Sequence, residues 1–363
     1  MKVALVHDYL REYGGAERVL LALSNLWPDA PIYTAFAVSG STAAKAFSGK
    51  KIVSSWFGWI PGLAHLYSPL RFLIPWIWGG FDFSGYDLVI SSASWYITKG
   101  LGKKFNVPEI CYCHTPPRWL YGYPTSINFQ KYWPVKVYAL IVGHFLRMYD
   151  FNQAQKVDVF VANSQEVANR ITKFYRRDSE IVYPPIDMVQ VKIGPRQDYF
   201  LVLSRLVGAK GVEMAVEASR KTGIKLKIAG ESVGFGGLKN VETLGYVSEE
   251  EKARLMGEAK AFLALEENVD FGMTPVEAMA MGTPVIAFNG GGYKETVVDG
   301  KTGVLFDDYS TDGLIKAIGR FNRMKWNTKI IKSQAQNFSL QQFQKKMIDL
   351  AQRYARITRN RNS

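Results

Sequence analysis

The sequence predicts an α/β protein made of two doubly wound, Rossmann-like domains. Its 363 residues are too many for one hydrophobic core and are typical of a two-domain chain. In both halves, short apolar runs that scarcely alternate, as in buried parallel strands, are followed by segments with helical spacing. Glycines follow several of these runs directly, as in the ligand-binding turns of such domains.

The composition excludes several other classes of protein. With 47% apolar and 21% charged residues, the chain is typical of a globular protein, and it contains no low-complexity tract or short repeat. The first residues lack the apolar core of a signal peptide, and no uncharged apolar run reaches the roughly 20 residues of a membrane span. We therefore expect a cytoplasmic protein.

The two cysteines predict neither a disulfide nor a metal site. Cys111 and Cys113 are separated by one residue on an apolar segment and so point to opposite faces of a strand. His114 follows them, but three neighbouring strand positions make a poor tetrahedral zinc site. We expect buried thiols and no bound metal.

The first domain opens with an apolar strand over residues 2–6. Gly14 and Gly15 then precede a helical segment, and backbone N–H groups at such a helix start can approach a phosphate. Many glycine pairs before helices are simply tight turns, so this pattern alone leaves both interpretations open.

Further strands over residues 87–92 and 109–114 place His114 at a carboxyl strand end, where α/β sheets bind their ligands. The prolines that follow turn the chain into a loop. His114 is therefore either a ligand contact or a solvated loop residue. After a helix over 138–148 and a strand over 157–163, Ser164 is expected to cap the next helix.

The second domain begins with a strand over residues 199–203. Arg205 and Lys210 follow it near a helix start, where two cations can neutralise a leaving diphosphate; surface cations without a role would look the same. Later, Ser248 with Glu251 three residues on forms the capping box of a helix that follows a loop ending in Val247.

The segment 270–303 is the part of the chain around which the second domain is organised. A strand over 262–265 leads into a loop, Thr274 is expected to cap a helix whose first residue is Pro275, and Gly282 ends that helix. A second strand over 283–288 is followed by three glycines. Two strand ends and a helix start converge there, which suits an anionic, hydroxyl-rich ligand, although any βαβ unit shares these isolated features.

Taken together, the residues of this segment resemble the donor-site signature of the retaining GT-B glycosyltransferases of family 4. The matching residues are Gly272, Pro275, Glu277, Ala278, Met279, Gly282, Pro284, Val285, Gly291, Glu295, Val297, Asp299, Gly300, Thr302 and Gly303. The resemblance implies a GT-B fold, in which two Rossmann-like domains face each other across a cleft and the second holds a nucleotide-sugar donor. It also implies three segments: an acceptor-binding domain over 1–190, a donor-binding domain over 191–340, and a last helix over 341–363 that crosses back and ends in a basic tail.

The resemblance also assigns roles to individual residues. Glu277 would accept hydrogen bonds from the ribose, while Arg205 and Lys210, assisted by Gly14 and Gly15, would stabilise the departing diphosphate. The other donor contacts would be Val247, Phe271, Gly272, Met273 and Thr274. His114 would contact or align the donor sugar, and Arg118 and Tyr121 would bind the acceptor.

One position departs from the family pattern, which has a glutamate eight residues before Glu277. Val269 stands there and cannot hydrogen-bond a sugar hydroxyl. Either the role is lost, or Glu267 or Asp270 takes it; we favour Asp270 as the catalytic carboxylate. The sequence contains no Asp-x-Asp pair, so we expect a metal-independent reaction without a cofactor.

The formal charge of +13 suits nucleic acid, an anionic membrane or a phosphorylated substrate. Between Asp29 and Asp82 the chain has no acid, and residues 50–81 interleave basic residues with tryptophans and prolines. This pattern fits a membrane interface, although the same aromatics could pack in the core. No nucleic-acid module accompanies them, so nucleic acid is not expected as a partner.

The resemblance is strongest to bacterial mannosyltransferases of O-antigen and exopolysaccharide assembly. It implies transfer of mannose from GDP-mannose to a lipid-linked or glycan acceptor at the inner face of the cytoplasmic membrane. The alternatives are a UDP-sugar-dependent transferase of the same fold, a sugar 2-epimerase, and a non-catalytic subunit that binds a nucleotide sugar.

Overall fold

The computed structural model describes residues 1–123, 133–186, 191–204, 211–230, 235 and 237–362. The chain divides into two compact units, one formed by Met1–Pro185 with Gln341–Ser363 and the other by Ile186–Leu340. Each unit contains one parallel β-sheet with helices packed against it.

The sheet of the first unit has seven parallel strands in the order β3-β2-β1-β4-β5-β6-β7. Its central strands are buried along their whole length, as expected for a sheet covered on both faces. The strands are β1 (Val3–His7), β2 (Ile32–Thr34), β3 (Ile52–Ser54), β4 (Leu88–Ala93), β5 (Glu109–Cys113), β6 (Val159–Ala162) and β7 (Ser179–Ile181).

Among the described residues, six helices of the first unit precede the second unit in the chain, and a seventh helix, α13 (Leu340–Asn362), follows it. Short 3₁₀ turns occur at Leu63–His65, Arg71–Leu73 and Lys103–Phe105. The six are α1 (Gly15–Leu26), α2 (Thr42–Ala46), α3 (Trp56–Trp59), α4 (Ile74–Gly79), α5 (Trp133–Ala154) and α6 (Gln165–Tyr175).

The sheet of the second unit has six parallel strands in the order β10-β9-β8-β11-β12-β13. They are β8 (Phe200–Ser204), β9 (Leu226–Gly230), β10 (Val241–Gly245), β11 (Ala261–Ala264), β12 (Val285–Phe288) and β13 (Gly303–Phe306). The helices are α7 (Val212–Thr222), α8 (Glu249–Glu258), α9 (Met273–Ala280), α10 (Tyr293–Thr296), α11 (Thr311–Asn322) and α12 (Thr328–Gln336), and α13 (Leu340–Asn362) completes the first unit.

Apolar clusters cover both faces of the first sheet. On one face, Leu20 and Leu23 of α1 and Phe343 and Met347 of α13 pack against the strands. On the other, the aromatic segment after β3 packs with Leu146 of α5. The burial of α13 in this core explains why the end of the chain belongs to the first unit.

Both sheets confirm the predicted doubly wound α/β class. In each, the first strand of the unit lies between its second and fourth strands, so the direction in which strands are added reverses there. In such sheets, ligands bind outside the carboxyl ends of the strands at this reversal. For the first unit these are the ends of β1 and β4, and for the second unit the ends of β8 and β11.

Several local predictions are also confirmed. Cys111 and Cys113 are free and buried, and Ser164 and Ser248 cap α6 and α8 through their hydroxyl oxygens. No helix among the described residues is long and apolar enough to cross a bilayer.

Candidate active site

Two loops meet at the carboxyl edge of the second sheet. Gly292 donates its N–H to the Val269 carbonyl oxygen over 3.2 Å. A Cβ atom on Gly291 would lie 2.2 Å from that same oxygen, and one on Gly292 would lie 2.4 Å from the Cα of Phe271. The glycines that follow β12 therefore allow the loop after β11 to approach closely enough to form one continuous surface.

The helix after this loop starts earlier than the sequence suggested. Gly272, with φ of 85°, is the N-cap residue of α9, and Met273 is its first residue. The expected cap, Thr274, lies inside the first turn, and the prediction that it caps the helix is wrong. The reason is steric, because a Cβ at position 272 would lie 2.5 Å from the Tyr293 ring.

Glu277 consequently lies in the second turn of α9 and not in the first. Its side chain is only 8% exposed, and its carboxylate lies 3.2 Å from Nζ of Lys252 on α8. Lys252 also pairs with Glu249, which is largely exposed. The site therefore holds a buried carboxylate whose charge is balanced by one lysine shared between two acids.

The structure gives a physical reason for the unusual Val269. The valine is buried, and its Cγ atoms pack against the positions of Gly291 and Gly272 while its carbonyl receives the Gly292 N–H. Asp270 beside it is half-buried, and Glu267 is exposed. Val269 thus helps to shape the loop, and a catalytic role for Asp270 stays a prediction.

The remaining donor residues predicted in the second unit lie around this loop. Phe271 is buried with its ring 5.4 Å from that of Phe338, and its donor contact stays a prediction. Val247 lies half-buried just before α8. Arg205 and Lys210 lie outside the described residues, so their roles also stay predictions.

At the start of α1, the glycine pair has an internal partner. Gly14 is the N-cap residue, and its N–H is donated to the Glu17 carboxylate over 2.8 Å. The Gly14 N–H is therefore already engaged within the unit, while Gly15 forms the first residue of the helix. The predicted diphosphate contact fits Gly15 better than Gly14.

A chain of buried polar side chains begins at the same carboxylate. Glu17 lies 3.4 Å from Nε2 of His7, Nδ1 of His7 lies 3.0 Å from Oγ of Ser92, and that oxygen lies 2.9 Å from Nε2 of His114. These residues come from α1, the last position of β1, β4 and the residue after β5. His114 is therefore held inside the unit and is not the solvated loop residue that the sequence left open.

The charges along this chain follow from burial and from the glutamate. Burial opposes a charge on His7, but the hydrogen bond and negative charge of Glu17 raise the pKa of His7 above its ordinary value. Burial likewise opposes ionisation of Glu17, but His7 lowers the pKa of that carboxyl. Burial, assisted by the charge on His7, lowers the pKa of His114 to about 3. His114 is therefore neutral near pH 7, beside a His7–Glu17 pair in which each partner favours the charged form of the other.

Asp8 fixes the loop that follows β4. Its carboxylate accepts N–H groups from Ser94 over 2.9 Å and Trp95 over 2.6 Å, and the Thr98 hydroxyl donates to it as well. His7, Asp8 and Ser92 were not predicted as site residues from the sequence. The available signal was a pair of polar residues, His7 and Asp8, at the end of an apolar strand.

The two predicted acceptor residues differ in their surroundings. The Tyr121 hydroxyl donates to Asp150 over 2.8 Å, and its ring stacks on Phe174 at 4.2 Å. Asp150 also pairs with the buried Lys99. These contacts hold the ring and hydroxyl of Tyr121 in place, and its acceptor role stays a prediction. Arg118 is half-buried in the same loop, and its acceptor role stays a prediction.

Among the described residues, no three His, Cys, Asp or Glu side chains lie close enough together to hold a metal ion.

The two halves of the chain match two family models. Residues 13–190 match the model described as Glycosyltransferase Family 4, and residues 185–338 match the model described as Glycosyl transferases group 1. Each model thus covers most of one unit, and the donor loops described above lie within the second match.

Curated relatives match parts of the chain. An uncharacterised glycosyltransferase of Methanocaldococcus jannaschii is 24% identical over 187 residues, which are 49% of this chain and 52% of that protein. An alpha-1,3/1,6-mannosyltransferase of Dictyostelium discoideum is 47% identical over 70 residues, which are 19% of this chain and 17% of that protein. The chain therefore spans about half, or less, of the length of these relatives.

Solved structures match the whole architecture. HepE of Anabaena, solved with UDP and glucose, superposes with a TM-score of 0.71 at 16% identity and covers 97% of this chain and 99% of its own. The lipopolysaccharide outer core galactosyltransferase WaaB gives a TM-score of 0.68 at 18% identity, with coverages of 96% and 99%. At this identity the likeness shows the fold, which is the predicted GT-B fold of two Rossmann-like domains.

Proposed function

We propose that this chain, which has the GT-B fold and whose two halves match the family 4 and group 1 glycosyltransferase models, is a glycosyltransferase that transfers a hexose from a nucleotide sugar to a lipid-linked saccharide at a membrane surface. The observation that carries the proposal is the buried carboxylate of Glu277 beside the glycine loop of the second unit. A carboxylate held in place in this way can accept hydrogen bonds from a pair of ribose hydroxyls.

The donor would be bound mainly by the second unit. Glu277 would accept hydrogen bonds from the ribose hydroxyls, and its ion pair with Lys252 would hold the carboxylate in position for them. The backbone at Gly272 and Met273, at the start of α9, would face the donor's anionic part. Arg205 and Lys210 would stabilise the departing diphosphate, which needs no metal ion.

Mannose from GDP-mannose is the donor that we propose. Two observations support a mannosyltransferase: the resemblance of the sequence motifs and the 47% identity of a 70-residue stretch to a mannosyltransferase of Dictyostelium discoideum. A UDP-sugar is the second candidate, because HepE of the same fold was solved with UDP-glucose.

The thermal stability of the chain with millimolar GDP, UDP or ADP separates these donors. A nucleotide present at about 100 times its dissociation constant adds roughly 2.7 kcal/mol to the free energy of unfolding. We expect a clear rise in Tm with GDP and little change with the other two. A rise with UDP alone would replace the donor, and no rise with any nucleotide would contradict a nucleotide-sugar enzyme.

The acceptor would be reached at an anionic membrane surface. In the segment 50–81, Phe57 and Trp78 are buried in the core, but Trp59 and Trp76 are 75% and 63% exposed. The interpretation that these aromatic residues pack in the core is therefore correct for Phe57 and Trp78 but not for Trp59 and Trp76. Exposed tryptophans beside basic residues are typical of proteins that lie in a bilayer interface.

Helix α5 extends the same exposed surface. The outward-facing residues of α5 include Leu140 and Phe145, which are 72% and 66% exposed. The helix is joined to the tryptophan segment by a hydrogen bond from the Tyr138 hydroxyl to the Pro69 carbonyl. We call the exposed residues of these two elements the apolar surface: Trp56, Trp59, Ile60, Leu66, Phe72, Trp76, Trp133, Val137, Leu140, Ile141, Phe145 and Met148.

Charge on and near the apolar surface favours anionic lipid. The segment 50–81 contains no acid, and the one acid of α5, Asp150, is buried against Lys99. Lys136 is exposed at the first turn of α5. A cytoplasmic protein with this surface would be held at the anionic inner leaflet of the cytoplasmic membrane.

Vesicle co-sedimentation tests the apolar surface. We expect binding to vesicles that contain phosphatidylglycerol and weaker binding to phosphatidylcholine alone or at high salt. Replacing both Trp59 and Leu140 by serine should weaken vesicle binding about tenfold or more. Each substitution removes an apolar side chain whose full burial in the bilayer would contribute roughly 1.5–3 kcal/mol at most. The control is Ile330→Ser, which changes an exposed side chain of α12.

Equal binding by the double variant and the control would contradict the membrane role of the apolar surface. Loss of self-association in the double variant, without vesicle binding by the wild type, would instead identify a contact between copies of the chain.

A further inference from the structure

The side chains of Glu17, His7, Ser92 and His114 form a chain of hydrogen bonds that contains few polar hydrogens. Ser92 has one hydroxyl hydrogen, so its oxygen donates to one histidine and accepts from the other. An ionised Glu17 only accepts, so the Nε2 of His7 that faces it carries a hydrogen. The remaining hydrogens in the chain are then fixed by whether His7 is charged.

When His7 is charged, both of its nitrogens donate. Its Nδ1–H points at Oγ of Ser92, so the Ser92 hydroxyl must donate to Nε2 of His114. A neutral His114 that accepts at Nε2 carries its hydrogen on Nδ1. His114 is then a hydrogen-bond donor at Nδ1.

When His7 is neutral, its Nε2–H still donates to Glu17, but both hydrogen bonds of Ser92 reverse. The Nδ1 of His7 becomes an acceptor, the Ser92 hydroxyl turns toward it, and Nε2 of His114 must donate to Oγ of Ser92. The Nδ1 of His114 then holds a lone pair and accepts.

We propose that the charge on His7 selects, through Ser92, which ring nitrogen of His114 carries its hydrogen. His7, Ser92 and Glu17 are positioning residues in this account, and His114 is the residue that meets the ligand. The inference rests on the proposed function only in taking His114 as a contact of the sugar donor.

The ligand side of His114 is Nδ1. Nε2 faces Ser92, the carbonyl oxygen of His114 accepts from Nδ2 of Asn163, and its N–H donates to Ala93. Within the described ranges, Nδ1 of His114 makes no hydrogen bond, and the residue is 8% exposed. This nitrogen is therefore available to a sugar hydroxyl, as a donor in one state and as an acceptor in the other.

The cluster loses one proton when it passes from the charged to the neutral state of His7. In going from the charged to the neutral state, His114 loses the hydrogen on Nδ1 to solvent or ligand and takes the Ser92 hydrogen on Nε2. Ser92 takes the Nδ1 hydrogen of His7. The cluster thus releases one proton at the ligand-facing nitrogen, although the charge that disappears is that of His7.

The pH at which the switch occurs follows the titration of His7. The titratable groups around it are Glu17 from α1, Asp8 directly after β1 and His114 beyond Ser92; Thr34, its partner on β2, does not titrate. Because the negative groups raise the pKa of His7, the charged state persists to a pH above the ordinary 6.5. Below this pKa His114 donates at Nδ1, and above it His114 accepts there.

Long-range proton–nitrogen NMR of the full chain, labelled with ¹⁵N-histidine, tests the proposal without any ligand. The chain has four histidines, and the variants His65→Gln and His144→Gln assign two of them. We expect the Nδ1 and Nε2 signals of His114 to exchange protonated and unprotonated character at the pH where His7 titrates. A His114 tautomer that stays the same throughout that titration would overturn the proposal.

Two variants separate the switch from simple packing. In Glu17→Gln the amide oxygen can accept the Gly14 N–H, which leaves the amide NH₂ facing Nε2 of His7; neutral His7 then keeps its hydrogen on Nδ1, and the His114 tautomer should no longer exchange. Ser92→Ala should leave His7 titrating while the His114 tautomer no longer follows it. If His114 still exchanges with a wild-type midpoint in Glu17→Gln, or still follows His7 in Ser92→Ala, the link through these side chains is wrong.

The same experiment distinguishes this inference from the proposed function. The NMR measurement requires only the folded chain, whereas nucleotide binding is measured by the change in Tm. A chain that shows the tautomer exchange but binds no nucleotide would contradict the proposed function alone. A chain that binds nucleotide with an invariant His114 tautomer would contradict the switch alone.

Discussion

Replacing Lys210 by methionine is expected to lower kcat by about 10²–10³-fold, the usual effect of deleting one preorganised electrostatic stabiliser. The resemblance places Lys210 and Arg205 at the diphosphate that leaves with the nucleotide, where negative charge grows as the sugar bond breaks. Methionine keeps much of the side-chain length and removes the charge. The measurement is steady-state release of nucleoside diphosphate by purified wild-type and variant protein.

A matched control lies on the next helix. Lys221→Met makes the same change at the last turn of α7, where the lysine is exposed and pairs with Asp312 over 3.0 Å. We expect kcat of this control to stay near the wild-type value, because a surface ion pair contributes little. Equal effects of the two variants would show that net charge, and not a diphosphate contact at Lys210, determines the rate.

Replacing Glu277 by glutamine is expected to raise the KM for the donor by about 10- to 100-fold while kcat changes little. Hydrogen bonds to a charged group contribute about 1.5–3 kcal/mol each, and the ribose contact would be made equally in the ground state and the transition state. Initial rates over a range of donor concentrations separate the two constants.

Glu249→Gln is the matched control for Glu277. Both glutamates pair with Lys252, but Glu249 is 60% exposed on its side chain and Glu277 is 8% exposed. If Glu277 binds the donor, the control keeps a wild-type KM. A similar loss in both variants would mean that the position of Lys252, and not the Glu277 carboxylate, sets the affinity.

The sequence was sufficient for the fold and for the loops of the second unit. The apolar runs that scarcely alternate became the buried central strands of two parallel sheets, because a strand covered on both faces needs apolar residues at every position. The three glycines after β12 were also recognisable in the sequence. The structure requires glycine at Gly291 and Gly292, because neither position has room for a Cβ.

The cluster around His114 could not be predicted in this way. His7 and Ser92 are 85 residues apart, and they meet only because β1 and β4 are neighbours in the sheet. A polar residue at one strand end gives no sign of its partner until the strand order is known. Sequence reasoning therefore identified His114 from its position but missed His7 and Ser92, which determine its protonation.

The start of α9 shows a different limit. Thr274 and Pro275 form a good local cap, but the ring of Tyr293 requires a glycine at position 272 and fixes the left-handed backbone there. A contact with α10 therefore overrode a local preference.

The measurement that tests the account most directly is the release of GDP from GDP-mannose by the wild-type chain, with and without a detergent extract of bacterial membranes as the source of lipid-linked saccharide. We expect slow release without the extract, faster release with it, and a mannosylated lipid product detected by mass. A chain that binds GDP-mannose yet releases no GDP under either condition would contradict the account and would identify a non-catalytic subunit that binds a nucleotide sugar.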